Sequence, residues 1–419
     1  MLELVRRFFR CPDSVLNVDI NVPVSGAVKD ALEAIDPAGS SRKEFLPTPE
    51  CEKLVESLLM EEYPQARSVG LQSAGIVRNA YYLVRPFLSV SVRRILQRAA
   101  LKRSNSQTFP HWPVDFTSDE ILKEILAAAM AAKKLDRIPF IWFWPDGHKS
   151  CAVLTHDVET RVGLKFCPEL MKIDDSHGIK SSFQIIPENR YEVTEEQLDH
   201  FRLNGFEINV HDLNHDGQLF SDRDRFLERA KKISHYGKHF RAHGFRAGAL
   251  YRNQQWFDQL DFAYDMSVPN NGRFDPQPGG CCTVFPYFIG NLLEIPVTAI
   301  QDYTLFNVLN DYSISVWRQQ IQLISEHHGL TSIIVHPDYL TTDRAKDTYT
   351  ALLQHISALR DTHGLWVPLP GDIDAWWRQR HQMKLVEQNG KWVIQGENTN
   401  RARVALAQLK DGGISYLIE

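Results

Sequence analysis

Residues 151–160 read "CAVLTHDVET", and the fold turns on how the first half of that stretch is taken. Its five opening residues carry no charge and no apolar/polar alternation, so a strand built from them has both faces covered. Similar short runs recur downstream: "SSFQII" (181–186), "FEINV" (206–210), "LLEIPV" (292–297), "SIIVHP" (332–337) and "LWVPLP" (365–370). Helical patterns separate them, among them "TEEQLDHFRLNG" (194–205), "DRDRFLERAKKISHYGKHF" (222–240), "SVWRQQIQLISEHHG" (315–329) and "RAKDTYTALLQHISALRDTHG" (344–364). Strands that each return through a helix form a parallel sheet covered on its outer face. About 220 residues suit a barrel of (β/α) units. The expected class is α/β, with the barrel over 150–375.

Outward from that core, residues 1–110 mix short helical and extended patterns and form an N-terminal α/β extension of unknown role. The polar, proline-containing part of "LKRSNSQTFPHWP" (101–113) reads as a linker. A helical connector spans 111–149. Within it "TSDEILKEILAAAMAAKK" (117–134) presents Ile121, Leu122, Ile125, Leu126 and Met130 on one face, with Thr117 or Ser118 as its cap. Residues 376–419 read as short strands and turns, a small β-rich appendage.

The totals narrow the function classes. The chain has 419 residues, 47 basic against 52 acidic side chains and a net charge of −5, which gives no electrostatic case for a nucleic-acid partner. Six cysteines at irregular spacings match no disulfide framework, so a reducing compartment is the default. Charges break every apolar run of the N-terminus, unlike a secretory signal, and no stretch is long and apolar enough to span a bilayer. "YYLVRPFLSVSVRRILQRAA" (81–100), with Arg85, Arg93, Arg94 and Arg98, could lie on an anionic membrane surface as a basic amphipathic helix. Pro86 argues against one unbroken helix there, and a segment docked on its own domain is the simpler reading. The expected location is the cytoplasm, at the inner face of a membrane if that segment touches one.

In a parallel sheet, chemistry collects at the carboxyl ends of the strands. His156, Asp157 and Glu159 follow "CAVLT", His211 and His215 follow "FEINV", Arg246 follows "HGF", and His336 follows "SIIV". Residues two apart in an extended segment share a side, so Asp157 and Glu159 face the barrel mouth together and Val158 turns away. One carboxylate with two imidazoles is a usual ligand set for catalytic zinc. Glu159, His211 and His215 supply it, Asp157 stands close enough to accept a proton from the attacking water, and His336 approaches from a distant strand as an acid.

In order and spacing, "THDVE", "HDLNH", "FRAGALYRN" and "IIVH" resemble the motifs of the NodB-homology polysaccharide deacetylases, a carbohydrate esterase type. The resemblance covers roughly residues 150–370. It implies a distorted (β/α) barrel, a divalent metal (most often zinc), and hydrolysis of an acetyl group, chiefly N-acetyl, on a carbohydrate or glycan substrate. Carried over, Asp157 is the base, His336 the acid, His211 and His215 metal ligands, and Arg246 the residue that orients and tunes the base. This chain departs from the family pattern at two places. Val158 stands where the family has a second aspartate, so the third ligand must be Glu159. Gly248 stands where a proline usually follows the arginine. Asp265 in "YDMSVP" is the expected support of the acid histidine, and a backbone N–H near Tyr251 the expected oxyanion donor. Trp256, Tyr287 and Tyr339 are aromatics that could stack on sugar rings. Two other readings stay open: hydrolysis of small non-peptide C–N bonds on the same fold, and an inactive carbohydrate-binding protein.

Overall fold

The computed structural model describes residues 2–12, 17–36, 43–67 and 108–419; the basic stretch 81–100 and residues 101–107 of the expected linker lie outside them. Helix α1 (Glu3–Phe9) precedes strand β1 (Asn21–Pro23), helix α2 (Gly26–Ile35), strand β2 (Phe45–Pro47) and helix α3 (Thr48–Leu59). β1 and β2 pair antiparallel. These elements pack on α4 (Thr117–Ala132), whose Ile121, Leu122, Ile125, Leu126 and Met130 are all buried. Glu124 of α4 accepts from the N–H groups of Ala27 (3.0 Å) and Val28 (3.3 Å) and so closes the N-terminus of α2. The cap of α4 itself differs from expectation. Asp115 Oδ1 accepts from Thr117 N at 2.8 Å, while the Ser118 hydroxyl is committed to Cys281 O at 3.1 Å.

Strand β3 (Arg137–Ile141) leads into the sheet. Strand β4 (Ser150–Val158) is buried at all nine positions, as a strand covered on both faces must be. Then follow α5 (Arg161–Ser176), β5 (Ser182–Ile185), α6 (Glu195–Leu203), β6 (Glu207–His211), α7 (Arg223–Phe240), β7 (Gly244–Arg246), β8 (Tyr264–Asp265), β9 (Tyr287–Ile289) and β10 (Leu292–Glu294). Helix α8 (Ser315–Glu326), strand β11 (Leu330–Val335), helix α9 (Asp343–His363), the short strand β12 (Leu365–Trp366) and helix α10 (Pro370–Gln382) complete it. The order is β11-β4-β5-β6-β7-β8-β10-β9, with β12 beside the start of β4. Every pairing is parallel except the β9–β10 hairpin.

The chain beyond β10 closes the ring. Val297 N donates to Val268 O (2.9 Å) and Asn270 N to Val297 O (2.7 Å); Thr298 N and Ala299 N then reach Ser332 O of β11 (3.3 and 3.1 Å). Ser332 N answers with a bond to the Thr298 hydroxyl at 2.8 Å. A side chain thus replaces one backbone rung, and the result is a distorted (β/α) barrel.

Past α10, β13 (Lys384–Gln388) and β14 (Lys391–Gln395) form a hairpin whose turn residues Asn389 and Gly390 have φ of +52° and +74°, the conformation a tight two-residue turn requires. β15 (Val404–Lys410) pairs with β16 (Gly413–Ile418) on one side and with β3 on the other. All six cysteines are buried and free. Among the described residues no helix is long and apolar enough to cross a membrane.

Arg380 of α10 clips the two ends of this layer together. It is 2 % exposed and donates to the carbonyl oxygens of Trp142 (2.9 Å), Phe8 (2.8 Å) and Ile141 (2.7 Å), with its guanidinium over the rings of Phe143 and Trp377. Burial pushes its pKa down. Arg380→Ala strips buried acceptors of their donors at about 1–3 kcal/mol each. The expected loss is about 3 kcal/mol, read as a lower urea midpoint at unchanged slope; a shift under about 1 kcal/mol would remove this role.

Candidate active site

Four strand ends converge. At the end of β4, Val158 is buried in the outer apolar cluster, which leaves Asp157 and Glu159 on the opposite side. At the end of β6, the backbone coils through left-handed residues at Asp212 (φ +55°) and His215 (φ +53°), which returns His215 to within 4.9 Å of His211, ring centre to ring centre. The space for this comes from the β7 loop. A Cβ on Gly248 would meet Asp212 Oδ2 at 2.5 Å and His215 Cδ2 at 3.0 Å, so a larger residue, proline included, would push the Asp212 carboxylate aside and crowd the second histidine.

Glu159, His211 and His215 each offer a ligand atom, all within 4.8 Å of one another. His211 Nδ1 donates to Arg246 O at 3.1 Å, which fixes the tautomer with a lone pair on Nε2. The Nε2 atoms of both histidines are buried without a hydrogen-bond partner, although His215 Nε2 stands 3.2 Å from Glu159 Oε1. A buried imidazole nitrogen without a partner, beside a second paired only with a carboxylate, is costly unless a cation completes it, and the donor set suits zinc. Burial pushes His211 down to about 4, opposed in part by Asp157, so at neutral pH it is a free base and able to coordinate. Burial also works against the charged form of Glu159, but the histidines, His215 first, outweigh it and hold the carboxyl below its ordinary range.

Asp157 lies beside this set, its Oδ2 3.8 Å from His211 Nε2. Its other oxygen accepts from Arg246 Nη1 at 2.7 Å. Arg246 is buried and is itself fixed by Thr155 Oγ1 (2.7 Å) and Met266 O (2.9 Å). Burial would raise the Asp157 pKa; the Arg246 charge, followed by His211 and His336, turns the shift downward.

His336 follows β11. Its Nε2 is 3.8 Å from Glu159 Oε1. Its Nδ1 donates to Asp302 Oδ1 at 2.7 Å and its backbone N–H to Asp302 Oδ2 at 2.8 Å. Burial opposes the charge on His336, yet Asp302, then Glu159 and Asp157, carry it up to about 10. The support of this histidine is therefore Asp302, not Asp265. Asp265 is committed to Ser267 N (2.8 Å) and Oγ (2.9 Å) and lies level with Glu294 across the β8–β10 pair. Burial raises both of those carboxyls, Asp265 to about 6. Asp302 stands five residues beyond the run "LLEIPV", the offset at which His215 stands beyond "FEINV", and that shared offset is the one signal that points to it.

The remaining expectations divide. Tyr251 N donates to Gly248 O at 3.2 Å, so that N–H is already spent. Trp256 packs on Phe226 and Phe220. Tyr287 donates to Leu59 O at 3.1 Å and ties the N-terminal layer to the barrel. Of the three aromatics, Tyr339 alone is placed at the site, its ring 5.1 Å from that of His336 and its hydroxyl 3.5 Å from Glu159 Oε2.

No protein-family model and no curated protein matches the chain. Among solved structures, one described as a polysaccharide deacetylase from Mycobacterium smegmatis aligns at TM-score 0.47 and 17 % identity, over 60 % of this chain and 98 % of its own. Puue allantoinase aligns at TM-score 0.45 and 11 % identity, over 56 % and 92 %. A protein described as a polysaccharide deacetylase from Pseudomonas aeruginosa PAO1 aligns at TM-score 0.44 and 12 % identity, over 56 % and 92 %.

Proposed function

We propose that this chain is a divalent-metal-dependent hydrolase that removes an acetyl group, N-acetyl foremost, from a carbohydrate or glycan precursor. One observation carries the reading. A three-donor set of two buried imidazoles and a carboxylate lies between a carboxylate held ionised by Arg246 and a histidine held protonated by Asp302. A cation-binding site alone needs neither of the last two.

Glu159, His211 and His215 would hold the ion, zinc by its preference for such donors. When bound, it supplies Lewis-acid polarisation of the acyl carbonyl and acidifies the attacking water. The chain's own residues do the rest. Asp157 accepts the proton of that water, and Arg246 keeps it ionised and aimed. His336 has Nδ1 committed to Asp302, so its transferable proton is on Nε2, the nitrogen that faces Glu159, and goes to the departing amine nitrogen. Loss of activity to the inactive-binding reading is opposed by the presence of both groups. The test is acetate release from acetylated oligosaccharides by the metal-loaded protein, beside a panel of ureides; turnover of ureides alone would replace the substrate class, and turnover of neither would sink the hydrolase.

Asp302 gives this mechanism a pH signature. A general acid works only while protonated, so activity falls as pH rises through the His336 pKa. Removing the Asp302 charge lowers that pKa, by roughly 1–3 units for a close opposite charge. Asp302→Asn is expected to bring the alkaline limb of kcat to lower pH with the acid limb unmoved. An alkaline limb that stays in place would take His336 out of the acid role.

A further inference from the structure

We infer that Asp338 is a positioning residue for the metal ligand Glu159; the inference rests on the metal-site reading above. β4 ends at Val158. Asp157 is therefore held in the sheet, in register with Gln184, whereas Glu159 is the first residue beyond the ladder. A ligand one residue off the strand needs another anchor if its carboxylate is to meet two fixed imidazoles.

Asp338 provides that anchor. One of its oxygens accepts from the Glu159 backbone N–H at 3.0 Å. The other accepts from the Thr160 hydroxyl and from Gly163 N, the latter at 3.2 Å. Three donors on five consecutive residues thus converge on one carboxylate, and the turn bearing Glu159 is gripped at its backbone. Tyr339, the next residue, reaches Glu159 Oε2 at 3.5 Å. Asp338 itself sits two residues past His336 in a tight turn closed by Tyr339 N to His336 O at 3.0 Å. One turn therefore carries both the acid and the clasp on the ligand. The fit is close: a Cβ on Gly163 would lie 2.2 Å from Asp338 Oδ2, so the glycine makes room for the carboxylate.

The competing role is plain capping of α5, since Thr160 and Gly163 belong to its first turn. The two roles separate in metal affinity. A cap lowers stability with or without metal, while a clasp on the ligand changes the zinc dissociation constant as well. The experiment is competition of the full-length apoprotein with a chromophoric chelator for zinc, beside thermal unfolding of the apoprotein. Outer-shell partners of metal ligands typically contribute about 10–100-fold in affinity, and Asp338→Ala is expected to weaken zinc binding by that factor. Asp338→Asn, which keeps a single acceptor oxygen, falls in between. Gly163→Ala, which pushes the carboxylate aside and leaves it chemically intact, weakens zinc binding in the same direction. Dissociation constants within about twofold of the native protein in both Asp338→Ala and Gly163→Ala, with only the unfolding temperature lowered, overturn the inference and leave Asp338 a helix cap. Native protein that binds no zinc overturns the metal-site reading itself, a result visible before any variant is compared.

Discussion

Asp157→Asn is expected to lower turnover about 10²–10⁴-fold, the usual contribution of a positioned general base, while the metal content of the protein stays unchanged. The geometry makes the substitution selective. Asp157 Oδ1 accepts from Arg246 Nη1 at 2.7 Å, and an asparagine oxygen accepts the same bond. The amide nitrogen then takes the place of the oxygen that lies 3.8 Å from His211 Nε2, where it has no basic lone pair to offer. Volume and packing are preserved, and none of the three proposed ligands is touched. Acetate release measures the loss, and elemental analysis checks that the ion remains. A variant with native turnover would end the assignment of Asp157 as base.

His215→Ala acts on the other half of the site. Its ring offers one of three donor atoms within 4.8 Å of each other. Losing a direct ligand costs more than the roughly 10–100-fold of an outer-shell change. The expected result is about one zinc per chain in the native protein and close to none in the variant, after both are purified without chelator. The native histidine already holds φ of +53°, a conformation that alanine adopts somewhat less readily, and circular dichroism should accompany the metal assay. Full metal occupancy in the variant would show that His215 is not a ligand. Turnover must vanish with the metal; activity retained by a metal-free variant would remove metal from the chemistry altogether.

Much of this site is legible in the chain. The period of two along a strand puts Asp157 and Glu159 on one side and Val158 on the other, and the structure keeps that division. His211, Arg246 and His336 are legible because each directly ends a recognisable apolar run, and His215 because it stands four residues from His211. Asp302 is hidden because it lies five residues beyond Val297 with no metal-ligating or acid-base residue directly after that run to mark it, as His211 marks His215. Asp265 in "YDMSVP" has Glu294 as its neighbour, set by the register of β8 against β10, and register between distant strands leaves no local trace. The pairing of β3 with β15 was hidden for the same reason. The capping of α4 by Asp115 rather than by Thr117 or Ser118 was hidden by a smaller effect, the choice between adjacent polar residues that a helix signature alone does not make.

That β3–β15 ladder also bears on how the chain is made. Val404 pairs with Ile141 and Gln408 with Arg137, so the two partners are separated by most of the barrel. At about 5–20 residues per second of synthesis, β15 leaves the ribosome tens of seconds after β3. Until then Ile138 and Phe140, buried in the finished protein, belong to a strand with no partner on either edge. An unpaired apolar edge is a template for wrong pairing. The nascent protein therefore passes through an interval in which its barrel strands can already assemble while β3 waits, and chaperone occupancy during translation is expected to peak there.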